Sequence, residues 1–368
     1  MNNAQRRDNM ILVDFSGILF QNVFAAATSA NPEVDPVTNK FIASDFMPAA
    51  KAFILGFLFD LQSQYSTVKG DVVICLDDST KQNWRKTILP TYKSARKSNR
   101  EESQIPFDEV FRQIDELLLQ LKENSPWRVI SVPGAEADDI ILSLARHYSY
   151  SEPVMIVSSD KDMIQAQKHP NVTQYSPTLK RFVTPESKGG DMGFWLTEHL
   201  MLGDSVDEIP KVTDKTKFSE PFLKHLKAMN ISVSEEQYAE LPESERERIE
   251  SSFNVLDRYN RKDIWKNPRF GPKAVQKLID NNEVESFLDS NPMYRKNFER
   301  NKRLILDECI PAEISSQCVA SYVNQTKSVR SENTKKFKDY LAGSGLSQFV
   351  ETLPFNFVSG IISVEDFL

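Results

Sequence analysis

Four short apolar runs punctuate the first half of the chain, and each ends at or just before acidic residues. "MILVDFSG" reaches Asp14, "GDVVICLDDS" reaches Asp77 and Asp78, and "PVMIVSSDKD" reaches Asp160 and Asp162. "WRVISVPGAEADD" ends at a Pro-Gly turn and enters a segment whose first turn holds Glu136, Asp138 and Asp139. The runs are continuous in Val, Ile and Leu, which predicts strands buried on both faces and so a parallel sheet covered by helices. Helical segments fall between them: "PAAKAFILGFLFDLQSQ" from Pro48, "FDEVFRQIDELLLQLKEN" from Phe107 and "DDIILSLARHY" from Asp138. This alternation predicts an α/β, doubly wound fold, in which ligands bind beyond the carboxyl ends of the strands. The acids fall there.

Carboxylates crowded beside a core repel one another and resist desolvation. One or two of them are accounted for as helix caps or dipole partners. Four strands converging on one edge are not, and bound divalent cations would hold them. "LMLGDSVDEIP" adds Asp204 and Asp207 at a spacing that one turn can aim at a common point. The candidate metal set is Asp14, Asp77, Glu136, Asp138, Asp139, Asp160, Asp162, Asp204 and Asp207. Oxygen ligands without His or Cys clusters select magnesium, with manganese as its substitute. So many acids suit two ions, and two ions about 4 Å apart are the arrangement that cleaves phosphodiesters. The four histidines are scattered and offer no general base.

Charge sharpens the picture. The chain of 368 residues carries a net charge of −7, which alone argues against a nucleic-acid partner, but the charges are segregated. "STKQNWRKTILPTYKSARKSNREES" holds Lys81, Arg85, Lys86, Lys93, Arg96, Lys97 and Arg100, with Trp84 and Tyr92 interleaved. A solvated loop explains any one of these lysines. As a block leaving an acidic strand end, basic residues with stacking aromatics suit a nucleic-acid strand. A second basic stretch, "NQTKSVRSENTKKFKDYL", carries Lys327, Arg330, Lys335, Lys336 and Lys338; tracking duplex DNA and a plain solvated helix surface explain it equally well. No apolar stretch is long enough to cross a bilayer, and "MNNAQRRDN" lacks a following signal-type segment, so no membrane association is expected. Cys75, Cys309 and Cys318 have no metal-like spacing and read as reduced thiols of a cytoplasmic protein.

"VDFSG", "LDDS…WRK…YKSAR", "EADDIILSLA", "SSDKDMIQ" and "GDSVDEIP", in that order, resemble the motif set of the 5′-nuclease superfamily. That superfamily includes flap endonucleases and polymerase-associated 5′-exonucleases, and the resemblance is greatest to its T-even bacteriophage ribonuclease H branch. It implies a PIN/5′-nuclease-like core with a helical arch and a C-terminal helical domain. It also implies that the nine acids bind or orient two magnesium ions, and that Lys93, Arg85 and Arg96 contact the scissile phosphate from the arch. The superfamily varies at Asp78, which is not carried over as a ligand. The substrates implied are RNA–DNA and DNA duplexes with 5′ ends, flaps or forks, cut during removal of RNA primers in phage lagging-strand replication. A monomer in the cytoplasm of an infected bacterium is expected, with the phage single-stranded DNA-binding protein and sliding clamp as partners. The final "GIISVEDFL", with Ile362, Val364, Phe367 and Leu368, resembles short terminal clamp-binding peptides; packing back onto the helical domain is the alternative.

One departure stands out. The superfamily follows its "GD…DNIP" motif closely with a Gly-rich "GIGPKTA" hairpin that grips duplex backbone. Here "RFGPKAVQKLI" appears only at Arg269, after an acidic stretch. Gly271 and Lys273 keep the chemistry, since backbone N–H groups at a helix start plus a cation suit a phosphate. The expected organisation is a tail at 1–9, a nuclease core at 10–210 with the arch at 79–106, and an insertion at 211–268. A helical domain at 269–360 and a clamp-binding tail at 361–368 follow. Alternatives are a PIN-type ribonuclease, a magnesium-dependent phosphatase or phospho-receiver, and a catalytically silent DNA-junction binder. In a haloacid-dehalogenase-type phosphatase a second Asp follows two positions after the first, and "DFS" puts Ser16 there.

Overall fold

The computed structural model describes residues 10–65, 71–188, 191–256, 264–266, 269–325 and 331–351. The expected tail at 1–9, Lys327, Arg330 and the segment 361–368 lie outside the described residues.

Six strands form one sheet: β1 (Met10–Asp14), β2 (Asp71–Leu76), β3 (Arg128–Ser131), β4 (Val154–Val157), β5 (Val172–Ser176) and β6 (Arg181–Val183), in the order β3-β2-β1-β4-β5-β6. All neighbours are parallel except β6, which returns antiparallel beside β5. Successive strand residues point to opposite faces, and here both faces are covered. Ile11, Val13, Val72, Ile74, Met155 and Val157 enter one core, shared with the helices Phe15–Ala30, Met47–Tyr65 and Phe107–Asn124. Met10, Leu12, Val73, Cys75, Val154 and Ile156 enter the other, under the helices Ala137–Tyr148 and Ala312–Asn324. That double burial is why the sequence shows unbroken apolar runs instead of alternation. The helix Phe15–Ala30 was not foreseen, nor was the β5–β6 hairpin.

The chain divides into two compact units. The first comprises residues up to Thr87, Ser94–Lys188 and the chain from Ile310 onward; the second comprises Ile88–Lys93 and Gly189–Cys309. This differs from a core ending near residue 210 followed by a helical domain. The reason lies in the helix Ala312–Asn324, whose Cys318 and Tyr322 are buried in the second face of the sheet. Tyr322 also donates its hydroxyl to Asp71, and the Gln325 carboxamide bonds the N–H and C=O of Val129 at 3.0 and 2.8 Å. Gln325 thereby stands in for a neighbouring strand at the open edge of β3.

The second unit holds Asp204, Asp207, Gly271, Lys273 and the segment expected as an insertion. That segment forms the helices Glu220–Ala228, Glu235–Glu240 and Glu243–Leu256. It has its own core of Phe218, Phe222, Leu226, Tyr238, Ile249 and Phe253. Among the described residues no helix is long and apolar enough to cross a membrane.

Candidate metal centre and phosphate-binding residues

Three adjacent strands, β2, β1 and β4, lead at their carboxyl ends to Asp77, Asp14 and Asp160. Strands in a sheet lie about 4.8 Å apart, so these carboxylates rise from points spanning about 10 Å. Asp14 caps the helix Phe15–Ala30, accepting the Gly17 N–H at 3.3 Å, and accepts the Ser158 hydroxyl at 2.8 Å. Asp77 accepts the Ser16 hydroxyl at 2.8 Å and the Ala137 N–H at 2.9 Å. Asp160 accepts the Asp162 N–H at 2.8 Å, while its own N–H donates to Ser158 Oγ at 3.0 Å. Gln174 of β5 donates to the carbonyls of both Ser158 and Asp160. Ser16, Ser158 and Gln174 are supporting residues that the sequence reading missed. Two of them had a signal, as serines two positions from strand-end aspartates.

Hydroxyl and amide donors orient Asp14, Asp77 and Asp160, and these carboxylates offer oxygen donors of the kind that fit hard divalent cations.

The turn entering the helix Ala137–Tyr148 behaves differently. Asp139 is fully buried and takes Arg85 Nη2 at 2.8 Å, Arg85 Nη1 at 3.0 Å and Trp84 Nε1 at 3.1 Å. It also accepts the Glu136 N–H at 2.9 Å, and Arg85 Nη1 reaches Glu136 Oε2 at 3.3 Å. Arg85 is only 4 % exposed, with its guanidinium 4.4 Å from the Trp84 ring centre. Arg85, expected to contact the scissile phosphate, is here turned inward and paired with Asp139 and Glu136. A carboxylate taken fully out of water needs such a partner, and the planar fork of Arg serves two oxygens at once. Tyr92 is buried in a core of the second unit, and Trp84 is half-buried against a core of the first. Glu136 and Asp138 are half-buried beside this pair.

Asp78 fastens the Pro-Gly turn before that helix. It accepts the N–H groups of Gly134, Thr80 and Lys81 at 2.7, 3.1 and 3.0 Å and the Thr80 hydroxyl at 2.7 Å. Burial works to raise its pKa, but these four donors outweigh it and hold the carboxyl below its ordinary value.

In the second unit, Asp204 and Asp207 sit on a tight loop after the helix Met192–Leu202. Asp204 Oδ1 accepts the N–H groups of Val206 at 2.7 Å and Asp207 at 3.3 Å. Asp207 Oδ2 takes the Tyr92 hydroxyl at 3.2 Å and Lys93 Nζ at 3.4 Å. The Lys93 N–H donates to the Asp207 carbonyl at 3.2 Å, and Lys93 has φ +53°, a left-handed conformation uncommon for a side-chain-bearing residue.

The other expected contacts are placed as follows. Lys81, Arg96, Lys97 and Arg100 are exposed and Lys86 is half-buried. The last three arginine and lysine positions of the arch lie on the helix Ala95–Glu102. Gly271 caps the helix Pro272–Asp280 with open space where a Cβ would stand, and Lys273 is exposed in its first turn. Lys335 and Lys336 are exposed and Lys338 half-buried on the helix Ser331–Gly343.

Residues 9–189 match the family described as 5′-3′ exonuclease, N-terminal resolvase-like domain. Ribonuclease H of Enterobacteria phage T4 is 26 % identical over 213 residues, 58 % of this chain and 66 % of that protein. A 5′-3′ exonuclease of Buchnera aphidicola subsp. Schizaphis graminum is 29 % identical over 216 residues, 56 % of this chain and 66 % of that protein. The chain thus spans just under two thirds of the length of these two relatives. A solved structure of the T5 D15 protein, co-crystallized with metal ions, aligns with 91 % of this chain and 99 % of that one, at 16 % identity and a TM-score of 0.47.

Proposed function

We propose that this chain is a metal-dependent nuclease of the 5′-3′ exonuclease and flap-endonuclease family. The observation that carries the reading is the convergence of Asp14, Asp77 and Asp160 at the ends of three adjacent parallel strands, inside the stretch that matches that family's N-terminal domain. In this reading those carboxylates, with Glu136, Asp138 and Asp162, hold two magnesium ions, for which manganese substitutes. Bound there, the ions would acidify a water and offset charge on the phosphate under attack.

The residues of the chain divide the remaining work. Ser16 and Ser158 fix the rotamers of Asp77 and Asp14, so the ligands are set before metal arrives. Arg85 and Asp139 lock the turn that carries Glu136. In the second unit Asp204 and Asp207 are two further acids of the expected metal set, and the ammonium of Lys93 draws a phosphate as charge develops on it. Lys81, Lys86, Arg96, Lys97 and Arg100 bind the nucleic-acid strand, and Gly271 with Lys273 takes duplex backbone at a helix start.

The finer proposal is a 5′ to 3′ exonuclease and flap endonuclease that removes RNA primers and adjacent DNA during phage lagging-strand replication. The T4 protein is named ribonuclease H, which supports an RNA-containing substrate. The sequence has no evident filter for the 2′-hydroxyl, so RNA and DNA are both cut. The partners in this reading are the phage sliding clamp and single-stranded DNA-binding protein. Digestion of 5′-labelled and internally labelled RNA–DNA duplexes and flaps tests it. Short 5′ products that appear with magnesium and vanish with a chelator are expected; intact substrate in both would overturn it.

A further inference from the structure

The helix Pro292–Ile305 buries Met293, Tyr294, Asn297, Asn301, Leu304 and Ile305, so two asparagines occupy a stripe that should be apolar. Asn301 has no exposed surface at all. A primary amide in such a place costs stability unless every donor and acceptor is used. Its Nδ2 donates to the Leu200 carbonyl at 2.9 Å and to the Pro210 carbonyl at 3.0 Å. Its Oδ1 accepts from Arg300 Nε at 3.2 Å and Arg300 Nη2 at 3.0 Å, and Nη2 also reaches the Pro210 carbonyl at 3.2 Å.

Leu200 and Pro210 are the two ends of the loop that carries Asp204 and Asp207. Leu200 lies in the last turn of the helix Met192–Leu202, where carbonyls lose their helical partners. The Asp204 N–H, which would have served the Leu200 carbonyl in a continuing helix, instead donates to the Ile209 carbonyl at 2.9 Å. Ile209 returns its N–H to the Asp204 carbonyl at 2.7 Å. The neck is narrow: a Cβ at Gly203, whose φ is +64°, would lie 2.3 Å from the Ile209 carbonyl oxygen and 2.6 Å from that of Pro210. The two donors of one carboxamide therefore close the neck from outside.

We infer that Asn301, backed by Arg300, is a positioning residue that latches the Asp204–Asp207 loop shut and so sets these carboxylates for a divalent cation. This rests on the nuclease reading for its purpose but not for its geometry. The same loop holds Lys93 through the Asp207 carbonyl and carboxylate, so the latch also sets that ammonium. Leu cannot replace Asn301, because it removes the carboxamide donor from the Leu200 carbonyl and leaves the Pro210 carbonyl to Arg300 alone. Asp cannot either, because it turns oxygen toward oxygen.

The test compares the full-length chain with Asn301→Asp, Arg300→Met and Arg300→Lys. Amide hydrogen exchange at Asp204 and Ile209 is read alongside manganese binding by calorimetry and the magnesium dependence of cleavage. Asn301→Asp is expected to speed exchange at those two amides and to weaken metal binding about tenfold, as loss of a ligand's supporting hydrogen bond does. Turnover at saturating metal stays within about threefold of the parent if the loss is mainly one of metal affinity. Arg300→Met shows the same pattern more weakly, and Arg300→Lys restores it. Unchanged exchange at Asp204 and Ile209 would overturn the latch. Faster exchange with unchanged metal binding would overturn its positioning role. A parent protein that cuts nothing with magnesium would sink the nuclease reading separately, while the exchange measurement still decides the latch.

Discussion

Arg85 Nη2 lies 2.8 Å from Asp139 Oδ1, and both side chains are out of solvent. A buried pair of this kind is expensive to break, because removing one partner strands the other charge. Arg85→Ala is expected to cost about 3–5 kcal/mol in a urea denaturation measurement. It should also loosen the Glu136 turn, with cleavage falling as a consequence. A variant of unchanged stability whose cleavage nevertheless collapses would return Arg85 to a direct phosphate contact.

Asp77 is exposed at its strand end and held by Ser16 and the Ala137 N–H. Asp77→Asn keeps the shape and removes a negative charge that repels phosphate. Cleavage with magnesium is expected to disappear while affinity for a nicked or flapped duplex holds or rises. Gel-shift and single-turnover assays on the same substrate read both. Full activity would remove Asp77 from the metal set.

Lys93 combines a left-handed backbone with an ion pair to Asp207 at 3.4 Å. Lys93→Gly fits that backbone without strain and Lys93→Ala does not, yet both lose the ammonium. If charge is what matters, both should slow single-turnover cleavage by about 10²–10³-fold with little loss of binding. Activity retained by the glycine variant alone would show that the conformation, not the charge, was needed.

The carboxyl-end acids were legible because the unbroken runs of β1, β2 and β4 fix where each strand stops, and Asp14, Asp77 and Asp160 follow from that. The direction of Arg85 was not legible. Seven basic residues between 81 and 100 look alike in sequence, and only packing shows that Arg85 is consumed by Asp139 while Arg96, Lys97 and Arg100 stay exposed. The helix Phe15–Ala30 escaped notice because its Ala-rich, weakly patterned sequence lies against the sheet with little polar face to mark it. The return of residues from Ile310 to the first unit was hidden too, since the surface that Cys318 and Tyr322 cover comes from strands roughly 200 residues earlier.

Asp78 makes a pH prediction with a definite sign. Its carboxyl is held below its ordinary value of 3.8, so its contribution to stability is present above that value and lost as pH falls through the lower, folded-state value. The stability gap between the parent and Asp78→Asn should be constant from pH 7 to 5 and close in more acidic solution. Denaturant titrations across that range read it. A gap that instead closes near neutral pH would mean another group, not Asp78, carries the pH dependence.

The helices between Glu220 and Leu256 pack around Phe222, which is fully buried among Phe218, Tyr238, Phe253 and His225. That cluster is separate from the core of Met201, Val212, Phe270, Val275, Leu288 and Tyr294 in the same unit. The acid loop and the Gly271 helix start lean on the latter core. Phe222→Ala leaves a cavity that the surrounding rings cannot fill, and should destabilise these helices by about 3–5 kcal/mol. Because the cavity is confined to the separate cluster, magnesium-dependent cleavage of a nicked duplex should stay within about threefold of the parent. Hydrogen exchange resolves the two effects: faster exchange confined to Glu220–Leu256 is the expected result. Loss of protection that spreads to the helix Pro272–Asp280, together with loss of cleavage, would show that the segment supplies structure to the site and is more than an elaboration of the second unit.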